Sequence, residues 1–457
     1  MHLRLLAAAL LVVSAALAGC GGGKGHDGPA GTPAQYACVL CPPVVVDGVA
    51  DHSHFENILA VSPLDPDHWA TAAMYTVGTD PQTIDVLSTW DAGKTWSAAL
   101  LPYGDRVPLD HPLRTVTVVA DPSILIANDD TTVVFVGVGL TSVGAQGTYV
   151  PTVNTLFSAR STDGGRTFPP DGVRILSQSF IPLQDVSDYP KTTLGKDGRM
   201  IAMWGNADIP GQGGVERLLA SQGQAEASGN IEVRVSVSDD AGNSWSTPRF
   251  VYASTDKVYY SPVPAILADG SWVVMPSEEL EPAPGGPVYA SRSTDEGATW
   301  SWHPTPMVAI GFGAAVAGHD GSRIYYTYYD GAADFAYPTI AWADADEGPW
   351  TMLRLTDVPT NRFAIYPPAA VDGDGVLHAL YSWQPAGSAH AETRMASITA
   401  DGVRLPDVVV EANDRADRAF GHHFGLAALP HGAAATWMAN GAPWDLVATS
   451  IGPGEAA

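Results

Sequence analysis

Ser293-Thr294-Asp295-Glu296-Gly297-Ala298-Thr299-Trp300 decides the fold, because the chain writes its core four times. The other copies are Asp163-Gly164-Gly165-Arg166-Thr167-Phe168, Asp240-Ala241-Gly242-Asn243-Ser244-Trp245 and Asp91-Ala92-Gly93-Lys94-Thr95-Trp96. The common part is Asp, any residue, Gly, any residue, Ser or Thr, then an aromatic. An Asp side chain can accept hydrogen bonds from N–H groups of the turn that follows it, and Gly takes positive φ without steric cost. The aromatic is expected to bury at the start of the returning strand.

Strands precede these turns. Ile231, Val233, Val235 and Val237 alternate with Glu232, Arg234, Ser236 and Ser238, the period of a half-buried strand. Val288 to Ser293 and Thr155 to Ser161 read alike. One such turn says little. Repetition, each time on a strand, indicates a repeated all-β unit.

The turns resemble the Asp-box, the bacterial neuraminidase repeat, of the sialidase-like β-propellers. The resemblance rests on Asp91, Asp163, Asp240 and Asp295 with their neighbours. It implies a single propeller of four-stranded blades in which the box joins the third and fourth strands, on the face away from the active site. It implies fold rather than chemistry.

A second phrase counts the units. A short apolar strand meets Gly or Asp/Asn turn chemistry and is followed by another apolar strand. It starts near Asn57, Asp121, Asp188, Ser261, Gly313, Tyr366 and Phe424. The seventh unit runs out after three strands, at Leu446 to Ile451, while Val44-Val45-Val46 stands ahead of the first. The reading is therefore seven blades, with the ring closed by an N-terminal strand so that no sheet edge stays open. Six is the alternative, as in the sialidase domains that the chain resembles.

Residues 1–20 read as a targeting segment, with Arg4 ahead of an apolar run from Leu5 to Leu17. The run ends in Leu17-Ala18-Gly19-Cys20, which resembles the lipobox of bacterial lipoproteins. The resemblance implies lipid on Cys20 and attachment to a membrane of the bacterial cell envelope without a spanning helix. Residues 21–41 form a Gly-rich tether carrying Cys38 and Cys41, which a local disulfide would join in an exported chain. Residues 42–457 form the propeller. The formal charge of -26 argues against a nucleic-acid partner, which needs a basic face.

Residues ahead of the first strand of each unit are where a propeller offers a mouth. They include His52, His54, Glu56, His111, Tyr189, Tyr260, His422 and His423. The resembled sialidases hold the substrate carboxylate with three arginines and attack with a Tyr paired to a Glu. Their first arginine precedes the first Asp-box. Here no arginine occurs from Gly21 to Asp105, so that clamp does not carry over. Asp188, Arg362 and Tyr366 remain as catalytic candidates. Ring closure would bring His422-His423 beside Asp51-His52-Ser53-His54, and residues two apart on a strand point the same way. His52, His54 and His423 are the candidate ligands of a divalent metal, although the sequence requires no cofactor.

The sequence favours a surface-anchored propeller that binds an extracellular glycan or protein at its mouth, without sialidase activity. A glycoside hydrolase of sialidase-like or divergent type is the first alternative, and a docking or assembly lipoprotein the second. Whether the chain is an enzyme stays open at this point.

Overall fold

The structure is a computed structural model that describes residues 38–47, 52–77, 83–143, 150–180, 186–207, 231–253, 258–259, 264–279, 285–332, 335–360, 366–385, 387–413, 424–439 and 445–453. Cys20, Tyr260, Arg362, His422 and His423 lie outside these residues. No helix among the described residues is long and apolar enough to cross a membrane.

The chain builds antiparallel sheets one after another. The first holds His52–Val61, Trp69–Val77, Thr83–Thr89 and Ser97–Ala99 in that order. The second holds Val118–Ile126, Val133–Val143, Val150–Ser161 and Val173–Phe180. The third holds Val186–Leu194, Met200–Ala207, Ile231–Ser238 and Arg249–Ala253. The fourth is seven-stranded, running Ala265–Ile266, Trp272–Val274, Gly286–Ser293, Ser301–Ala317, Ile324–Ala332, Phe335–Ala343 and Thr351–Arg354. The fifth holds Ala369–Val371, Leu377–Trp383, Ala391–Ile398 and Val408–Asn413. The sixth holds Gly425–Ala428, Ala433–Met438 and Leu446–Pro453, and its last strand pairs with both Cys38–Leu40 and Val44–Val45. Val258–Tyr259 and Glu278–Glu279 form a further pair.

The seven-stranded sheet is two expected units joined by one long strand. Ser301 to Ala309 pairs backward, with Gly286–Ser293. Ala309 to Ala317 pairs forward, with the strand that starts at Ile324. One strand thus ends one unit and begins the next. The sixth sheet shows the expected shortage: its fourth position is filled from the N-terminus, with Val44 opposite Ala448 and Cys38 opposite Pro453.

Each sheet packs face to face on its neighbours. Met74, Val86 and Leu101 meet Ile124, Phe135 and Phe157 between the first and second sheets. Val136 and Leu156 meet Met200 and Trp204 between the second and third. Leu380 and Met395 meet Leu426 and Trp437 between the fifth and sixth. Ala434 of the sixth meets Leu59 and Trp69 of the first. Truncating a buried aromatic such as Trp204 or Trp437 to Ala costs about 3–5 kcal/mol. This stacking corrects the half-buried reading of Ile231–Ser238. Ser236 and Ser238 are as buried as Val235, since sheets cover both faces.

The four Asp turns join the third and fourth strands of their units. Asp163 accepts from the Thr167 N–H at 2.9 Å, the Thr167 hydroxyl at 2.7 Å and the Ser161 hydroxyl at 2.7 Å. Ser161 in turn accepts from the Gly165 N–H at 2.9 Å. Asp91, Asp240 and Asp295 repeat this pattern with Thr89 and Thr95, Ser238 and Ser244, and Ser293 and Thr299. The Ser or Thr two residues before the Asp belongs to the motif as well. The turn needs its glycine. Gly242 has φ +80°, and a Cβ there would stand 2.6 Å from a methyl of Val134 in the second sheet.

Candidate functional site

At the end of the sheets opposite the Asp turns, the first strands are interrupted at matching places. Pairing skips a residue between His54 and Glu56, two between Ala120 and Ser123, two between Asp188 and Lys191, and three between Ile310 and Ala314. The residues inside the skips include Asp121-Pro122 and Tyr189-Pro190. Proline lacks the N–H a ladder needs and sits well in a bulge. Asp121 and Tyr189 both have positive φ, 51° and 46°. Such conformations cost about 1–3 kcal/mol each and persist where the surroundings hold them, often at functional sites.

These bulges bring Glu56, Asp121, Asp188 and Lys191 together from three sheets. Burial pushes the Asp121 carboxyl well above the usual range, and the neighbouring Asp188 and Glu56 charges push it further. Burial also raises Asp188, to about 6, while a hydrogen bond from Asp121 limits the rise. The two acids therefore share protons, with Asp121 as donor and Asp188 as acceptor. Burial lowers the Lys191 ammonium, and Glu56, Asp121 and Asp188 oppose that shift. Lys191 Nζ lies over the Tyr366 ring, 4.7 Å from its centroid. Tyr366 is buried, and Tyr189 packs against it. So Asp188, Glu56, Tyr189 and Tyr366, singled out from sequence, share one locality, and Asp121 and Lys191 join them.

His52 and His54 fall in a second cluster on the same strand. His52 Nδ1 is 2.6 Å from Asp47 Oδ2 and 3.6 Å from Asp85 Oδ2, and His54 Nε2 is 3.2 Å from Asp47 Oδ2. One donor atom from each of the four residues lies within 4.8 Å of the others. The Tyr75 ring stacks on His52 at 4.1 Å, and its hydroxyl bonds Asp85. Burial raises Asp85, as does the Asp47 charge. The carboxylates beside the histidines are thus Asp47 and Asp85, whereas the sequence reading named Asp51, which lies outside the described residues.

His111 stands apart from both clusters, which corrects its placement at the mouth. Its ring joins the Leu113 N–H at 3.2 Å to the Pro170 carbonyl at 3.2 Å, stapling the connection before the second sheet to that sheet's outer edge. Cys41 is disulfide-bonded. The acidic turn at Asp344 faces cations: Asp344 pairs with Arg323 at 2.8 Å, and Asp346 lies 3.4 Å from Arg292.

No protein-family model matches the chain. A xyloglucanase of Hypocrea jecorina (strain QM6a) is 28% identical over 207 residues, which span 44% of this chain and 22% of that enzyme. The chain thus matches less than a quarter of that relative's length. Among solved structures, a protein of unknown function from Dyadobacter fermentans superposes with a TM-score of 0.51 at 14% identity, covering 91% of this chain and 99% of that one. A Hadza microbial sialidase gives 0.51 at 14% identity, covering 83% of this chain and 73% of that one. An α-L-arabinofuranosidase of Fusarium graminearum gives 0.50 at 11% identity, covering 91% and 98%. With consecutive antiparallel sheets and these neighbours, the chain has the sialidase-like β-propeller fold.

Proposed function

We propose that this protein is a glycoside hydrolase acting on an extracellular glycan at the bulged ends of its first strands. The proton-sharing pair Asp121–Asp188 carries the reading. A carboxylic acid kept protonated by burial is what protonation of a glycosidic oxygen needs near neutral pH. Two acids in hydrogen-bond contact stand closer than the roughly 5–9.5 Å that separates the acid from its partner carboxylate in glycosidases. The pair therefore acts as one unit, the acid. Glu56 is the partner, activating water or attacking the sugar. Protonation by Asp121 releases the leaving sugar as an alcohol, and water completes the second product. Lys191 keeps the surrounding negative charge in balance, and Tyr189 and Tyr366 wall the site.

The relatives support this class. The matched enzymes are named xyloglucanase, sialidase and α-L-arabinofuranosidase. The missing early arginine favours a neutral sugar over a sialoside. The sequence alone leaned toward binding without catalysis; the half-buried acid pair turns the balance toward hydrolysis. The test is a panel of fluorogenic glycosides, sialosides included, given to the full chain and to Asp188→Asn. Turnover of a neutral glycoside, lost in the variant, is expected. No turnover by the wild type, or undiminished turnover by Asp188→Asn, overturns the reading.

The same proposal takes the sheets as one ring of seven blades. Its support is the N-terminal strands on Leu446–Pro453 and the Thr436 hydroxyl of the sixth sheet, bonded to Asn57 of the first at 2.7 Å. The four Asp turns are then Asp-boxes on the far face. Lipid on Cys20 would hold the enzyme at the cell envelope. Labelling with a radioactive fatty acid should mark the wild type and not Cys20→Ser.

A further inference from the structure

We propose that Asp47, His52, His54 and Asp85 form a structural site for one divalent transition-metal ion, zinc by its donor set, that clasps the N-terminal strand to the first sheet. The site is independent of the hydrolase reading. Its residues come from three places. Asp47 follows Val44–Val45, the strand paired on the sixth sheet, and the Val46 N–H bonds Leu446 O at 2.8 Å. His52 and His54 begin the first strand of the first sheet, and Asp85 lies on its third.

The donor atoms have the spacing that such an ion requires. Ligands about 2.0–2.1 Å from a tetrahedral zinc lie roughly 3.3 Å from one another. Two separations, 3.2 Å for His54–Asp47 and 3.6 Å for His52–Asp85, fall close to that value. The 2.6 Å contact between His52 and Asp47 is a hydrogen bond that would open as the ion takes the place of the shared proton. Two neutral imidazoles and two carboxylates bring two negative charges, which one divalent ion balances. His54 is 0% exposed, Asp47 7%, Asp85 6% and His52 18%, so the cage is dry with one edge open for entry.

The second layer is built too. Tyr75 bonds Asp85 and stacks on His52, fixing a carboxylate and an imidazole at once. With four protein ligands and no position left for water, the ion would be structural. Imidazole with carboxylate suits zinc better than calcium or magnesium, which take oxygen alone. Its effect would be to tie the last sheet's added strand to the first sheet.

The experiment takes the purified full chain, strips it with a chelator, and titrates it with Zn²⁺ in a calorimeter. One equivalent should bind, and the melting temperature should rise on binding. Co²⁺ in place of Zn²⁺ should give the intense visible absorption of a four-coordinate ion with nitrogen ligands. His52→Ala, at the open edge, should bind at least about 100-fold more weakly. His431→Ala, whose ring pairs with Asp374 elsewhere, should bind as the wild type does. A stripped wild type that takes up neither ion overturns the proposal. So does uptake with unchanged affinity in His52→Ala, or a Co²⁺ spectrum of six-coordinate, all-oxygen type.

Discussion

Asp295 and Asp188 are the same residue at opposite ends of the sheets, and the protein treats them in opposite ways. Asp295 is exposed and accepts hydrogen bonds from the Thr299 hydroxyl and N–H and the Ser293 hydroxyl, which bring its carboxyl down to about 2. Asp188 sits in a bulge among other acids, and burial brings it up to about 6. One carboxylate is held charged by donors from its own turn. The other is held ready to take a proton because water has been withdrawn. What separates a scaffold acid from a chemical one is the supply of donors against the cost of burial. The turn end is built once and copied. The bulged end differs among the four first strands that carry a skipped pairing.

The largest expected effect breaks the comparison if it fails. Asp188→Asn should lower kcat on the glycoside that the wild type hydrolyses by about 10²–10⁴-fold. Asp295→Asn should leave kcat within about threefold, as its hydrogen bonds run within its own turn; a larger loss would mean that the turn end serves catalysis. The pH profile sharpens the contrast. kcat/KM should rise through about pH 6, as Asp188 loses its proton while Asp121 keeps one, and fall again where Asp121 gives its proton up. A flat profile across that range would remove the pair from the mechanism. Stability should follow the same group. A carboxyl raised in the folded state costs nothing below its ordinary value of 3.8 and becomes a burden as pH rises through about 6. Thermal melts should therefore show wild type losing stability relative to Asp188→Asn between those values.

The next effect belongs to the turn end and is purely steric. Gly242→Ala must hold φ +80° and place a methyl 2.6 Å from Val134. The expected loss is about 2–4 kcal/mol, read by denaturant unfolding, with kcat on surviving protein unchanged. Little or no loss would show that the turn yields, and that its copies are decoration on the sheets rather than part of their packing.

The sequence carried these two ends unequally. An Asp turn is a bond between residues four apart, Asp163 to Thr167, so its whole chemistry lies in one short phrase. Copying that phrase made the all-β reading firm, and the incomplete last unit pointed to Val44–Val45 as its added strand. The acids at the bulges obey no such local rule. Glu56, Asp121 and Asp188 come from three sheets, and what unites them is a skipped pairing at the same height. Asp-Pro at Asp121 and Tyr-Pro at Tyr189 were visible as strand starts, yet nothing local distinguishes a bulge that buries an acid from one that exposes it. Asp47 and Asp85 carry no local signal for the same reason. The histidines stand two apart on one strand, while their carboxylates arrive from the N-terminal segment and the third strand. His111 misled in the opposite sense, because a histidine before a strand need not face the mouth when a carbonyl such as that of Pro170 lies within reach.

The smallest effect is the one that asks whether a turn carboxylate is worth its place at all. Asp163→Ala removes the acceptor for the Thr167 N–H and hydroxyl and for the Ser161 hydroxyl. These groups are exposed or half-exposed, so water replaces much of what is lost. A net loss of about 1–2 kcal/mol is expected rather than the sum of three full bonds. The loss should also depend on pH in a definite direction. Burial is the largest single influence on the Asp163 carboxyl and raises it, but the bonds from Ser161 and Thr167 together outweigh it, leaving the folded value below 3.8. A lowered carboxyl contributes its stability above the ordinary value and loses it as pH falls through the depressed one. The gap between wild type and Asp163→Ala should thus be full at pH 6 and shrink below about pH 4, while the gap between wild type and Asp188→Asn moves between pH 4 and 6. If both gaps moved in the same pH window, the two carboxylates would not be held by opposite forces, and the bulged end would lose its claim to be the chemical one.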